Sequence, residues 1–280
     1  MLLPFDKYHA SGNDFIVMDD REERIALLGP SFILHLCDRR EGIGADGVLL
    51  LQNSSRANFR MRIFNADGKE ASMCGNGLRS LTHFASRHKL MSTSLSIEIG
   101  DHIAYGSIHE SLQKSPDGSI KEESLTVEWG PYHLIHEEPV RIEGYDFYGI
   151  NTGVPHSVTF TDHHDDFLRL APRVRRHFFM GEEGSNVSFV VLKEEGLYIR
   201  TFERGVEQET LSCGSAAAAA AVLARKKYDL KGSVQVVPFS GEKIVVECDE
   251  DHMKLHGKAT FVFHGSIMYN ELSKKMRSIP

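Results

Sequence analysis

Short segments in which hydrophobic and polar residues alternate dominate the chain, and turns rich in Gly, Asp and Ser separate them. Clear examples are Phe59–Phe64, Ser94–Ile99 and Ser233–Pro238. Because successive side chains of a strand point to opposite faces, a period of two predicts β-strands at these places. The pattern is therefore typical of a strand-rich protein with few helices.

Helical periodicity is confined to a few segments. Phe32–Arg40 carries an apolar stripe, and Leu78–Lys89 and Ala216–Lys227 also read as helices. The last of these begins with six consecutive alanines, Ala216–Ala221. Alanine combines the best helix propensity with a very small side chain, so strands can approach such a helix closely. We therefore expect this helix to be central. We expect Leu78–Lys89 to have the equivalent central position in another part of the fold.

These elements predict an α+β fold of two halves. Each half would be a mixed sheet curled around one central helix, with the active site in the cleft between the halves. We expect an N-terminal half of residues 1–124, to which residues 265–280 return, and a C-terminal half of residues 125–264. The predicted crossover is Ser111–Ser124, where a Pro-Asp-Gly turn joins a run of charges, although this segment could equally be a hairpin loop.

Composition narrows the function classes. The chain has 280 residues and a net charge of −7, and no basic block dominates, which argues against nucleic-acid binding. No apolar run approaches the roughly 20 residues of a membrane span, and the first residues lack an apolar signal core. We expect a cytoplasmic protein. Four cysteines without CxxC or HExxH spacing predict neither a disulfide scaffold nor a metal site.

Two of the four cysteines have closely similar surroundings. Cys74 and Cys213 are each followed by Gly and then by a predicted helix, whereas Cys37 and Cys248 fall on the apolar faces of a helix and a strand. The first turn of a helix favours a thiolate, because the positive end of the helix dipole lies there. Cys37 and Cys248 are interpreted as small buried hydrophobic residues.

The residues after these two cysteines offer backbone donors. Gly75-Asn76-Gly77 and Gly214-Ser215 each present N–H groups that no helical carbonyl accepts. Such groups bind a carboxylate or a phosphate, but neither site ends in the Gly-Lys-Ser/Thr of a P-loop. A carboxylate held there, with a thiol on each side, suits removal of the proton from the adjacent carbon.

Two thiols can divide this reaction between them. One, as thiolate, would remove the proton, and the other, as thiol, would return a proton from the opposite face. His156, which follows Pro155 in a predicted turn, and Glu203 are candidate proton-handling neighbours. A histidine in a loop is also compatible with a purely structural role.

Six blocks, in order along the chain, resemble the cofactor-independent diaminopimelate epimerases. They are KYHASGNDFIVMD from Lys7, REGIGADGVLLL from Arg40, FNADGKEASMCGNGLR from Phe64, NTGVPHSV from Asn151, GSNVSF from Gly184 and FERGVEQETLSCGSAAAA from Phe202. The resemblance implies two similar halves related by a pseudo-two-fold axis. It also implies epimerisation of LL-diaminopimelate to the meso form for lysine and peptidoglycan synthesis, without pyridoxal phosphate or metal, by a homodimer.

The resemblance also implies roles for individual residues. Cys74 and Cys213 would be the acid/base pair, and Arg204 would bind the distal carboxylate of the substrate. The remaining substrate-binding residues would be Asn13, Asn65, Gly75, Asn76, Asn186, Glu203, Gly214 and Ser215. The asparagines have an alternative role in turn formation, which suits Asn65 better than Asn186.

The chain departs from the family pattern around its second cysteine. ERGVEQET is one residue longer than the usual ERGxGET, and CGSA replaces CGTG. The lengthened loop lies in sequence next to the residues implied to bind the distal end of the substrate. Racemisation or epimerisation of other amino acids, such as smaller acidic ones, is therefore an alternative function.

Two further classes are weighed. A non-catalytic binding protein of the same fold would not need both thiols and both donor loops. A thiol hydrolase with Cys, His and Asn needs one nucleophile and leaves the second Cys-Gly helix start unexplained.

Overall fold

The computed structural model describes residues 1–109, 124–270 and 275–279. The chain packs as two compact units. Unit 1 comprises Met1–Ser72, Asn76–Leu125 and Lys258–Pro280, and unit 2 comprises Met73–Gly75 and Thr126–Gly257. The sequence placed the return to the first half at residue 265, and in the structure unit 1 resumes at residue 258. The crossover predicted at Ser111–Ser124 lies, except for Ser124, outside the described residues.

The described residues form strands and α-helices in the following order, together with two short 3-10 turns at Ala26–Leu28 and Phe178–Met180. They are β1 (Leu2–Ala10), β2 (Asn13–Asp19), α1 (Pro30–Cys37), β3 (Gly47–Gln52), β4 (Phe59–Asn65), β5 (Glu70–Ala71), α2 (Gly75–Arg87), β6 (Ser94–Ile99), β7 (His102–His109), β8 (Ser124–Trp129), β9 (His133–Leu134), β10 (Val140–Ile142), β11 (Tyr145–Asn151), β12 (Pro155–Phe160), α3 (Phe167–Val174), β13 (Asn186–Lys193), β14 (Gly196–Glu203), β15 (Gln208–Thr210), α4 (Gly214–Tyr228), β16 (Val234–Val237), β17 (Ile244–Cys248), β18 (Met253–Gly257), β19 (Thr260–Asn270) and β20 (Lys275–Ile279).

The two units repeat one pairing scheme. In unit 1, β1–β2 is antiparallel, β2–β3 parallel, β3–β4 antiparallel, β4–β6 parallel and β6–β7 antiparallel. In unit 2, β11–β12, β12–β13, β13–β14, β14–β16 and β16–β17 follow the same alternation. The short β5 and β15 pair with β4 and β14 as hairpins. α2 and α4 therefore occupy the same place in the two schemes, and each follows a cysteine.

Both of these helices are buried along most of their length, as expected. In α4 the side chains from Gly214 to Ala224 are buried, and the helix packs against β11–β14 and β16–β18. Strands can approach this closely because alanine projects so little from the helix. In α2, Thr82 lies so close to Gly106 of β7 that a Cβ atom added to Gly106 would be 2.1 Å from the Thr82 hydroxyl oxygen. The predicted α+β fold with strands around central helices is confirmed.

Two helices differ from what the sequence predicts. α1 ends at Cys37 and not at Arg40, because Asp38 is extended and its carboxylate accepts the backbone N–H groups of Arg40 and Glu41. α3 was not predicted, since Pro172 and two arginines interrupt its pattern. It is nevertheless a helix, because its apolar face, which includes Phe167 and Leu170, packs into the core of unit 2.

None of the helices in the described part of the chain has the length and apolar character that crossing a membrane requires.

Candidate active site

Gly75 and Gly214, which both belong to unit 2, lie close together. A Cβ atom on Gly75 would lie 3.4 Å from the Cα atom of Gly214 and 3.4 Å from the indole ring of Trp129. Glycine at this position allows two backbones to approach each other closely. Cys74 and Cys213 immediately precede the two glycines, and a charge on Cys74 raises the pKa of Cys213. The segment 73–75 therefore brings one cysteine next to the other.

The N-terminus of α4 has backbone donors that the helix does not use. The first helical bond runs from the Ala217 N–H to the Cys213 carbonyl, at 3.0 Å. The Ala216 N–H donates to the Cys213 sulfur, and the Ser215 hydroxyl lies 3.4 Å from that sulfur. The N–H groups of Gly214 and Ser215 have no helical carbonyl to bind. They are oriented for an anion at the positive end of the helix dipole.

Trp129 and Thr152 hold these helix starts in place. The indole Nε1–H donates to the Thr152 carbonyl at 2.9 Å, and the Thr152 hydroxyl donates to the Ser215 carbonyl at 3.1 Å. Both side chains are buried. Neither residue was predicted from the sequence, since hydrogen bonds between residues far apart in the chain leave no local pattern. The only signal was that Trp129 is the single tryptophan of the chain.

The surroundings of Cys213 favour its thiol form. Withdrawal of its sulfur from water and the nearby charge of Glu203 raise the pKa of Cys213 well above the usual value. These effects outweigh the hydrogen bonds from Ser215 and Ala216, which lower the pKa.

Glu203 is held by a hydrogen bond, because the Thr210 hydroxyl donates to one of its carboxylate oxygens. Glu203 ends β14 as Asn65 ends β4. The repeated scheme thus has a carboxylate in unit 2 where unit 1 has an amide.

This electrostatic setting predicts how Cys213 reacts with iodoacetamide. Below the pKa of a thiol, the thiolate fraction rises about tenfold for each pH unit. We expect alkylation of Cys213 to be slow at pH 7 and to accelerate by about that factor per unit up to pH 9, as followed by peptide mass spectrometry. Glu203→Gln removes a neighbouring negative charge and should speed the reaction at pH 7. A rate that stays constant between pH 7 and pH 9 would show that Cys213 is already ionised.

His156 lies in β12 and not in the predicted turn. It is fully buried, and it pairs in register with Asn186 of the parallel strand β13. Burial, with a smaller contribution from the charge of Arg204, lowers its pKa to about 3, so the imidazole is neutral. Neither ring nitrogen has a hydrogen-bond partner among the described residues. An unpaired buried imidazole is costly and suggests a binding partner.

Asn186 and Arg204 meet at the end of the β13–β14 pair. The backbone N–H of Arg204 donates to Asn186 Oδ1 at 2.7 Å, so this asparagine has a defined amide orientation. The Arg204 guanidinium is partly exposed and forms an ion pair with Glu183, with Nη1 2.8 Å from Oε2. Glu183 was not predicted from the sequence.

The lengthened loop is the turn of the β14–β15 hairpin. Glu203 pairs with Gln208, which leaves four residues in the turn, whereas the matching hairpin of unit 1 leaves residues 66–68 between Asn65 and Lys69. Glu207 has a positive φ of 57°. Its carboxylate compensates for this strain, because it accepts the Gly205 N–H and two N–H groups of Arg175.

In unit 1, a chain of hydrogen bonds links the side chains around Asn13. The buried Arg79 donates to Asn76 Oδ1 at 2.6 Å, Asn76 Nδ2 donates to Asn13 Oδ1 at 3.2 Å, and Asn13 Nδ2 donates to Asp46 at 2.8 Å. Each amide therefore has one possible orientation. Neighbouring Asp14, despite partial burial, has its pKa lowered to about 2 by hydrogen bonds from Arg39 and Lys7.

The predicted site residues fall into two groups. Asn13, Asn65 and Asn76 belong to unit 1. The others belong to unit 2, namely Cys74, Gly75, His156, Asn186, Glu203, Arg204, Cys213, Gly214 and Ser215. Cys74 was predicted to belong to the first half. Its segment instead packs with unit 2, because Gly75 rests on Gly214 and Trp129.

Solved structures share this fold. A hydroxyproline epimerase from Agrobacterium vitis matches with a TM-score of 0.73 at 14% identity, over 98% of this chain and 94% of that one. A PhzF-family phenazine biosynthesis protein from Bacillus anthracis matches with a TM-score of 0.70 at 15% identity, over 96% and 99% of the two chains. The chain therefore has the same fold as these two proteins.

Sequence comparison identifies the family. The sequence model of the diaminopimelate epimerase family matches residues 5–103 and 148–262. A diaminopimelate epimerase of Archaeoglobus fulgidus is 35% identical over 97% of this chain and 99% of its own length, and one from Hydrogenobaculum is 34% identical over 94% and 98%. The chain belongs to the diaminopimelate epimerase family.

Proposed function

We propose that this protein interconverts LL- and meso-2,6-diaminopimelate by moving a proton on and off one α-carbon with two thiols. The observation that carries this proposal is the contact of Gly75 with Gly214. Each of these glycines directly follows one of the two cysteines, so the contact brings the two cysteines close together. Family membership supports the choice of substrate.

In the proposed reaction, Cys74 and Cys213 exchange roles. A Cys74 thiolate takes the α-hydrogen as a proton, and the electron pair of the C–H bond moves toward the α-carboxylate. The Cys213 thiol then gives its proton to the opposite face of the carbon and becomes a thiolate. We assign the first donor role to Cys213 because burial and Glu203 raise its pKa. The reverse reaction uses the same groups in the opposite order.

The helix starts supply the electrostatic part of catalysis. The N–H groups of Gly214 and Ser215, which no helical carbonyl accepts, would bind the α-carboxylate, with Gly75 beside them. As negative charge grows on that carboxylate, fixed N–H dipoles bind it more strongly than in the ground state. Glu203 would take part in proton transfer at Cys213. His156 would act as a neutral hydrogen-bonding imidazole, since its pKa is about 3.

The remaining predicted ligands keep their proposed roles. Arg204 would bind the distal carboxylate through two parallel hydrogen bonds from its planar guanidinium group. Asn186 would contact the distal amino-acid centre. Asn13, Asn65 and Asn76 of unit 1 stay predicted substrate ligands. We further propose that the enzyme acts as a cytoplasmic homodimer in lysine and peptidoglycan precursor synthesis, without pyridoxal phosphate or metal.

Substrate competition tests the proposed function. We expect kcat/KM for LL-diaminopimelate to exceed the values for glutamate and aspartate by at least about 100-fold. Only the longer substrate has a distal carboxylate that would reach Arg204. The measurement is the loss of optical activity of each substrate under identical conditions. Equal or greater turnover of glutamate or aspartate would favour the alternative, a racemase of smaller acidic amino acids.

A further inference from the structure

The ion pair between Arg204 and Glu183 joins two side chains of very different exposure. Arg204 is 25% exposed, whereas Glu183 is 86% exposed, and their atoms Nη1 and Oε2 lie 2.8 Å apart. An ion pair this open to water contributes little to stability. Exchange of partners at this place is therefore energetically accessible.

The backbone that carries Glu183 is fixed even though its carboxylate is exposed. The Glu183 carbonyl accepts Arg175 Nη1–H at 2.7 Å, and the Ser185 N–H donates to the Arg175 carbonyl at 3.1 Å. Gly184, with a φ of +66°, lies so close that a Cβ atom would be 2.0 Å from that carbonyl. The same guanidinium donates to Glu207 of the lengthened turn. The exposed Glu183 carboxylate is thus carried by a backbone that hydrogen bonds hold in place.

The pair has the charges that an amino-acid head group requires. The distal end of diaminopimelate carries a carboxylate and an ammonium group. When a plain carboxylate displaces Glu183 from Arg204, the Glu183 charge is left without a partner. When a zwitterion does so, its ammonium group can pair with the released Glu183, so both charges are paired again.

We propose that Glu183 is a specificity-determining residue that binds the distal ammonium group of the substrate after the distal carboxylate has replaced it on Arg204. This inference rests on the proposed function and adds a residue that distinguishes a distal amino acid from a distal carboxylic acid. The lengthened turn contributes to it, because Glu207 neutralises the Arg175 guanidinium that anchors the Glu183 carbonyl.

The test compares LL-diaminopimelate with L-2-aminopimelate, which has the same carbon chain but lacks the distal amino group. In Glu183→Gln we expect KM for diaminopimelate to rise about threefold to fivefold and KM for 2-aminopimelate to fall by a similar factor, the range of an exposed ion pair. We expect kcat to change less than about twofold. Glu182→Gln removes an exposed carboxylate one residue earlier and is the matched control, with both KM values unchanged.

Opposite changes for the two compounds support the proposal. A fall in both KM values would mean that Glu183 only competes for Arg204, and a rise in both, or no change, would mean that it does not read the ammonium group. Each of these results overturns the proposal. The fluorescence of Trp129, which lies beside Gly75, gives dissociation constants of both compounds, and the same criteria apply to them. These constants keep the test valid if the wild-type protein binds the compounds without epimerising them. Binding without epimerisation would refute the proposed function but not the role of Glu183.

Discussion

Replacing either Cys74 or Cys213 by alanine is expected to slow inversion of LL-diaminopimelate at least about a thousandfold. Each thiol would be the only group that handles the proton on its face of the α-carbon, and loss of a positioned acid or base costs on the order of 10²–10⁴ in rate. Loss of both directions of the reaction is expected in both variants, because each thiol serves as base in one direction and as acid in the other. Polarimetry of purified variants measures the effect.

The other two cysteines provide matched controls. Cys37 lies in the core of unit 1, where burial raises its pKa to about 12, and burial also raises the pKa of Cys248. Alanine at either position should leave inversion within about twofold of wild type, provided that circular dichroism shows the fold intact. Normal inversion by Cys213→Ala would refute the two-thiol mechanism.

Replacing Arg204 by methionine should lower kcat/KM for diaminopimelate by about 100-fold or more. Methionine keeps much of the length of the side chain but removes the charge and the planar fork, so a distal carboxylate bound to this largely buried side chain would lose both charge-assisted hydrogen bonds. Arg204→Lys keeps the charge without bidentate geometry and should show a smaller loss. Steady-state kinetics of the three proteins give the comparison.

Arg176 is a suitable control for Arg204. It is exposed and lies 3.5 Å from Glu207, so it belongs to the same cluster of charges. Arg176→Met should change kcat/KM less than about threefold. If Arg204→Met were no more impaired than this control, Arg204 would not be the ligand of the distal carboxylate.

Local sequence patterns were sufficient to predict a helix directly after Cys74 and after Cys213, because glycine and a helical run are features of neighbouring residues. The expectation that the helix dipole favours a thiolate does not hold for Cys213, because burial and the charge of Glu203 raise the pKa of this thiol. The six alanines of α4 similarly predicted burial on all sides. The repeated strand pairing, in contrast, became visible only in the structure, since it depends on long-range partners.

The errors have physical reasons of the same kind. His156 was interpreted as a turn residue after Pro155, but pairing with β11 and β13 makes its segment a strand. No local pattern could predict that Glu183 pairs with Arg204, because the two residues meet only through loop geometry.

The central claim is that two thiols act on opposite faces of one α-carbon. The most direct test is the reaction of LL-diaminopimelate in deuterated water, stopped early and analysed for α-deuterium in both epimers by mass spectrometry and NMR. The account predicts that the meso product carries solvent deuterium at the inverted carbon, while the recovered LL substrate still carries its original hydrogen. A product that retained the original hydrogen of the substrate would contradict it, because one group would then have both removed and returned the proton.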